Sequence, residues 1–141
     1  MRIRVAVAVI GLTGMALSQT PRSVWDGVFT EEQAKRGQAR YTDLCASCHG
    51  ASLEGGESAP PLSGGDFMAN WNGLTMGDLF DRTRTSMPQN KPGSLSREAA
   101  SDILAYVLSA NQFPTGKTEL PQSSETLKEI KIEAVKPDHK E

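Results

Sequence analysis

The chain has 141 residues, with 15 basic against 17 acidic side chains, two histidines and two cysteines. That is room for one domain and little more. A mildly acidic balance argues against nucleic acid and anionic lipid as partners.

Met1-Arg-Ile-Arg precedes an apolar run, Val5 to Leu17, that closes in Ala16-Leu17-Ser18. A basic start, a short apolar stretch and small residues before a cleavage point make residues 1–18 an export leader, cut between Ser18 and Gln19. A retained membrane anchor would need about 20 apolar residues, and this run is shorter. The expectation is an exported, periplasmic protein with no stable membrane insertion once the leader is removed. Loss of Arg2 and Arg4 leaves the remainder more acidic. Residues 19–29 form a lead-in.

Thr30-Glu31-Glu32-Gln33 has the form of a capping box, with Phe29 and Ala34 spaced as a hydrophobic staple. It predicts a helix running to about Leu44. Ala34, Gly37, Tyr41, Leu44 and Cys45 recur on its inner face. Glycine inside a helix costs roughly 1 kcal/mol relative to alanine, so Gly37 reads as a place where another helix approaches closely.

Cys45 and Cys48 follow, with His49 immediately after. A disulfide across two residues would close a very small loop and remove little entropy from the unfolded chain. A zinc site needs four ligands, and the only other imidazole, His139, lies in the polar tail. A thioredoxin-like pair would expect a βαβ pattern, and no strand signal surrounds this one. The remaining reading is the haem attachment motif Cys-x-x-Cys-His. Two thiols at this spacing reach the two vinyl groups of one porphyrin, and the histidine projects its imidazole to the iron.

Gly50 to Gly65 is rich in Gly, Ser and Pro and reads as loop. After Trp71-Asn72-Gly73, Thr75 is placed to cap a short helix from about Met76 to Thr85, with Leu79 and Phe80 inward. Ser86 to Ser94 is again loop, fixed by Pro88 and Pro92. Ser96 caps a helix from Arg97 to Ala110, whose Ala99, Ala100, Ile103, Leu104, Val107 and Leu108 follow the i, i+3, i+4 pattern. Asn111 and Pro114 end it. The domain is thus residues 30–114. Residues 115–141 form a polar C-terminal extension, with Leu127, Ile130 and Ile132 as its apolar cluster, lying on the domain and fraying at its end. A core this small is marginal unaided, and a buried porphyrin would add apolar area at about 25 cal/mol per Å².

The choice of a sixth iron partner decides the function. His139, close to the C-terminus among charged residues, is set aside. Met76 falls in the first turn of a helix, and Met68 lies between Phe67 and Trp71; both read as packing. Met87 stands just after a helix end and before Pro88, in a loop free to bring its thioether to the iron. It is the expected distal ligand, with His49 proximal.

Together these parts resemble a class I cytochrome c, most closely the small bacterial ones that accompany quinoprotein and other periplasmic dehydrogenases. The resemblance covers about Thr30 to Pro114. It rests on Gly37 and Tyr41 before Cys45-Ala-Ser-Cys-His49-Gly50, Ala59-Pro-Pro-Leu62, Trp71, Thr85-Ser-Met87-Pro88 and Leu104-Ala-Tyr106-Val-Leu108. It implies an all-α cytochrome c fold, three main helices with glycine-rich loops wrapped around one covalently bound haem c. Gly37 and Tyr106 would mark the crossing of the first and last helices. The Pro60 carbonyl would accept from the free nitrogen of His49, and Trp71 would donate its N–H to a haem propionate. The extension lies outside the minimal family domain, and the lysine ring of mitochondrial cytochrome c is absent.

The implied function is one-electron transfer between a dehydrogenase and a downstream cytochrome or oxidase, by a carrier rather than an enzyme. Its partners would be redox proteins, not nucleic acid. Two alternatives stay open: a cytochrome subunit of a larger dehydrogenase complex, with the tail binding the catalytic partner, and a five-coordinate haem enzyme or sensor.

Overall fold

The computed structural model describes residues 22–138, so the expected leader and His139 lie outside the described residues. The elements in chain order are β1 (Arg22–Ser23), α1 (Glu31–Leu44), α2 (Ala46–His49), α3 (Gly64–Trp71), α4 (Met76–Ser86), α5 (Arg97–Ala110), α6 (Ser124–Leu127) and β2 (Ile130–Lys131). The mostly helical architecture is as expected, with α1, α4 and α5 as its main helices. Three short helices join them, and of these α3 replaces expected loop at its start. Two glycines, poor helix formers, open α3 and only eight residues form it, so neither its opening nor its length marks a helix.

The N-terminus of α1 forms as its residues dictate, with one difference. Thr30 Oγ1 accepts from the Gln33 N–H at 3.1 Å, and Glu31 and Glu32 sit where the helix dipole favours acid. The Gln33 side chain does not return to the cap. It is buried, and its Nε2 donates to Ser101 Oγ and the Leu120 carbonyl while its Oε1 accepts from the Leu120 N–H. A complete reciprocal box occurs instead at Thr75 and Asp78, opening α4.

α1 and α5 make the most extensive helix contact. A Cβ on Gly37 would overlap the backbone carbonyl of Asp102 and stand 3.0 Å from Tyr106 Cβ. The glycine is therefore what lets the two backbones meet, as its position on the inner face predicts. Tyr41 and Tyr106 flank the crossing with ring centroids 5.3 Å apart. Arg36 and Arg40 close over the buried Asp102 carboxylate at 3.0 and 3.3 Å, so the charge is paired where it leaves water.

The extension enters the core rather than only resting on it. Leu120, Leu127, Ile130 and Ile132 are all at most 2% exposed. β2 pairs in parallel with β1, Arg22 opposite Ile130. Trp25 Nε1 donates to the Glu133 carbonyl at 2.8 Å, and its ring meets Phe113 edge-on at 4.8 Å. Lead-in and extension thus form one strap built from partners distant in sequence.

Candidate haem site

Cys45 ends α1 and begins the single turn of α2. Its N–H donates to the Tyr41 carbonyl at 2.8 Å, and its own carbonyl accepts from His49 at 2.9 Å and Cys48 at 3.2 Å. Both thiols and the imidazole are therefore held on one helical turn. Cys45 and Cys48 are free; Cys45 is half-buried, Cys48 is exposed and His49 is 8% exposed. Burial pushes the Cys45 thiol up to about 11, so it is protonated at neutral pH.

The turn is stopped by Gly50, in a positive-φ conformation, and locked from the side by Tyr41, whose hydroxyl donates to the Gly50 carbonyl at 2.6 Å. Burial, first among the causes, pushes the Tyr41 phenol up to about 12. The chain then makes a tight loop. Gly55 N–H donates to the His49 carbonyl at 2.7 Å, Gly56 N–H to Ala59, and Leu62 N–H to Leu53. Gly55 has φ +79°, and a Cβ there would lie 2.6 Å from Pro61 N. Only glycine allows the loop to fold Pro60 back over the turn.

That fold brings the Pro60 carbonyl 2.8 Å from His49 Nδ1. A carbonyl accepts only, so Nδ1 carries the hydrogen and Nε2 keeps its lone pair. An imidazole oriented in this way is a prepared metal ligand. Asn111 secures the same loop from behind: its Nδ2 donates to the Leu62 and Val107 carbonyls at 3.0 and 2.8 Å, and its Oδ1 accepts from Gly64 N–H at 3.0 Å. Gly55 and Asn111 were readable in sequence only as a loop glycine and a helix stop, because their roles depend on partners brought in by folding.

The other expected site residues come from separate helix ends. Met87 caps the C-terminus of α4, with its N–H on the Thr83 carbonyl at 3.0 Å. It is half-buried, whereas Met76 is 0% exposed in the core and Met68 packs against that core. Of the three methionines, Met87 alone is not committed to packing against the core among the described residues. Trp71 ends α3, half-buried against the core. The structure joins His49 and Pro60 directly and holds Met87 and Trp71 on elements of their own.

The donor set suits a haem: two thiols on one turn for covalent attachment, an imidazole with Nε2 free for the iron, and a soft thioether on another element. A helical domain with this site is a monohaem class I c-type cytochrome, an electron-transfer haem protein whose cofactor is covalently bound haem c. Residues 32–107 match the family described as cytochrome c oxidase, cbb3-type, subunit III, and the chain belongs to that family. Among solved structures it is similar to a chain of the sulfane dehydrogenase SoxCD from Paracoccus pantotrophus. Identity is 24%, the match covers 76% of this chain and 61% of that one, and the TM-score is 0.50. This chain thus spans 61% of that chain's length, and at this identity the likeness bears on fold alone. No curated protein matches.

Proposed function

We propose that the protein is an exported, periplasmic one-electron carrier whose haem iron is held by His49 and Met87, and that it is not an enzyme. The observation that carries this reading is the 2.8 Å contact between His49 Nδ1 and the Pro60 carbonyl, which prepares Nε2 as a ligand. Met87, outside the core packing and at a helix end, supplies the best available second donor. The bound haem supplies a one-electron couple, and methionine in the sixth position favours the ferrous state. With His49 and Met87 both holding the iron, the chain would leave no ligand position for a substrate. Donor and acceptor are a dehydrogenase and a downstream cytochrome or oxidase, met through a small transient contact. Trp71 is placed in this reading as a donor to a haem propionate.

The test is a visible spectrum of the purified protein and of Met87→Ala. The oxidised wild type should show the weak long-wavelength charge-transfer band of an iron–thioether bond. Met87→Ala should lose that band, lower the reduction potential and open the iron to carbon monoxide. Met68→Ala and Met76→Ala should keep the band. A wild-type ferrous protein that binds carbon monoxide readily at neutral pH would replace the carrier with the five-coordinate reading.

A second reading, a cytochrome subunit of a larger oxidoreductase such as a dehydrogenase, draws support from the family description, which is that of a subunit. Co-purification with a catalytic chain at fixed stoichiometry would favour it over a free carrier.

A further inference from the structure

We propose that the C-terminal strap is a clamp on α4 that positions Met87, with Gly77, Asp81 and Leu127 as its positioning residues; this rests on Met87 being the distal ligand. α4 has 11 residues, a length at which a helix in water owes its order to tertiary packing rather than to itself. Its Met76, Leu79 and Phe80 face the core. Gly77 and Asp81, four residues apart and so on one face, meet the strap.

At Gly77 the contact is backbone to backbone. A Cβ there would stand 2.8 Å from both Lys128 N and the Ser124 carbonyl and would overlap the Lys128 side chain. One turn on, Asp81 Oδ2 accepts from Ser124 Oγ at 2.8 Å and faces Lys128 Nζ at 3.7 Å. Leu127, in the same short helix, is 0% exposed. The four-residue α6 makes more extensive contact with α4 than the fourteen-residue α5 does.

The strap also fixes where α4 begins. Ile132 N–H donates to the Leu74 carbonyl and Gly73 N–H to the Ile132 carbonyl, each at 2.9 Å. Thr75, the cap of α4, bridges antiparallel to Lys131. At the opposite end Met87 is tied to the helix through Thr83. A slide or rotation of α4 therefore carries Met87 with it. Ligand sites tolerate displacements of only about 0.5 Å, so what holds α4 laterally sets whether the thioether reaches the iron.

The experiment compares wild type with Leu127→Ala and with the surface pair Asp81→Ala, Ser124→Ala, all as holoprotein. Two quantities are followed: thermal loss of the iron–methionine band against thermal loss of far-ultraviolet helix signal, and binding of imidazole to the ferric protein. The clamp predicts that in the variants the band is lost at lower temperature than the helix signal. It also predicts imidazole binding tightened on the order of tenfold, because the methionine-off state is more populated. Asp81→Asn, which keeps an acceptor for Ser124, should restore wild-type values. Band and helix lost together, with imidazole binding unchanged, would overturn the clamp and reduce the strap to general stability. Should Leu127→Ala fail to accumulate, the surface pair decides alone. Absence of the band in the wild type would instead overturn the Met87 reading, and the clamp with it, and is distinguished by that control.

Discussion

Two regions of the molecule, a site side around the haem-binding turn and a strap side formed by lead-in and extension, are built by different means. On the site side the bonds that shape the haem-binding turn join near neighbours in sequence: Tyr41 to Gly50, 9 apart, and His49 to Pro60, 11 apart. On the strap side the partners are remote: Gln33 and Ser101 are 68 apart, Gln33 and Leu120 are 87 apart, and Trp25 and Glu133 are 108 apart. The site side presents half-buried sulfur and a prepared imidazole, whereas the strap side closes its buried polar groups on one another. The thiols for attachment and the prepared imidazole are concentrated in a short stretch of chain, and remote stretches hold the elements around it in place.

The severest challenge to this comparison is at the α1–α5 crossing. Gly37→Leu drives a side chain into the Asp102 carbonyl, a backbone group that cannot step aside. Overpacking typically costs 1–3 kcal/mol, occasionally more. The melting temperature should fall sharply, or holoprotein should not accumulate. An unchanged melting point would mean the helices do not cross there.

Gln33→Ala sharpens the difference between the sides. It strands the Leu120 N–H and removes a donor to its carbonyl in a buried site, where an unsatisfied group costs about 1–3 kcal/mol. Thermal unfolding should move down while covalent haem content, read from stained gels, stays at the wild-type level. If haem content falls as well, the two sides are not separable in this way.

The smallest effect is expected on the site side, from Tyr41→Phe. It deletes the bond to the Gly50 carbonyl, at about 1 kcal/mol. It should also change the alkaline limb of stability. Tyr41 titrates near 12 in the folded chain against an ordinary 10.0. Its neutral form therefore contributes stability that is full below about pH 10 and is lost as pH rises through about 12. Urea midpoints across that interval should fall less steeply for Tyr41→Phe than for wild type. Parallel curves would remove Tyr41 from the explanation.

The same contrast explains what could be read from the sequence. Cys45, Cys48, His49, the helix caps at Thr30, Thr75 and Ser96, and the apolar stripe of α5 are local patterns, and the structure forms the corresponding elements where they indicate. Pro60 could be paired with His49 by resemblance because the intervening loop is short. The second half of the Thr30 box could not be anticipated, since Gln33 is diverted by Leu120, a residue far along the chain. α3 is hard to read because it opens on two glycines, poor helix formers, and is only eight residues long. The extension looked peripheral for a similar reason: its apolar residues are sparse, and nothing nearby in sequence shows that each finds a buried seat. Asn111 was legible as a helix stop, but not as the residue that also ties Leu62 and Gly64 to α5.

The parallel pairing of β1 with β2 has a consequence for timing. Synthesis runs from the N-terminus, so Arg22 and Ser23 precede their partners Ile130 and Lys131 by more than a hundred residues. The turn bearing Cys45, Cys48 and His49, with its Tyr41, Gly55 and Pro60 supports, is complete in sequence long before β2 exists. Pairings between such distant residues carry the largest loop-closure cost and form late. The local supports of the attachment turn therefore do not wait on the strap, which closes Arg22 and Ser23 only once Ile130 and Lys131 are present.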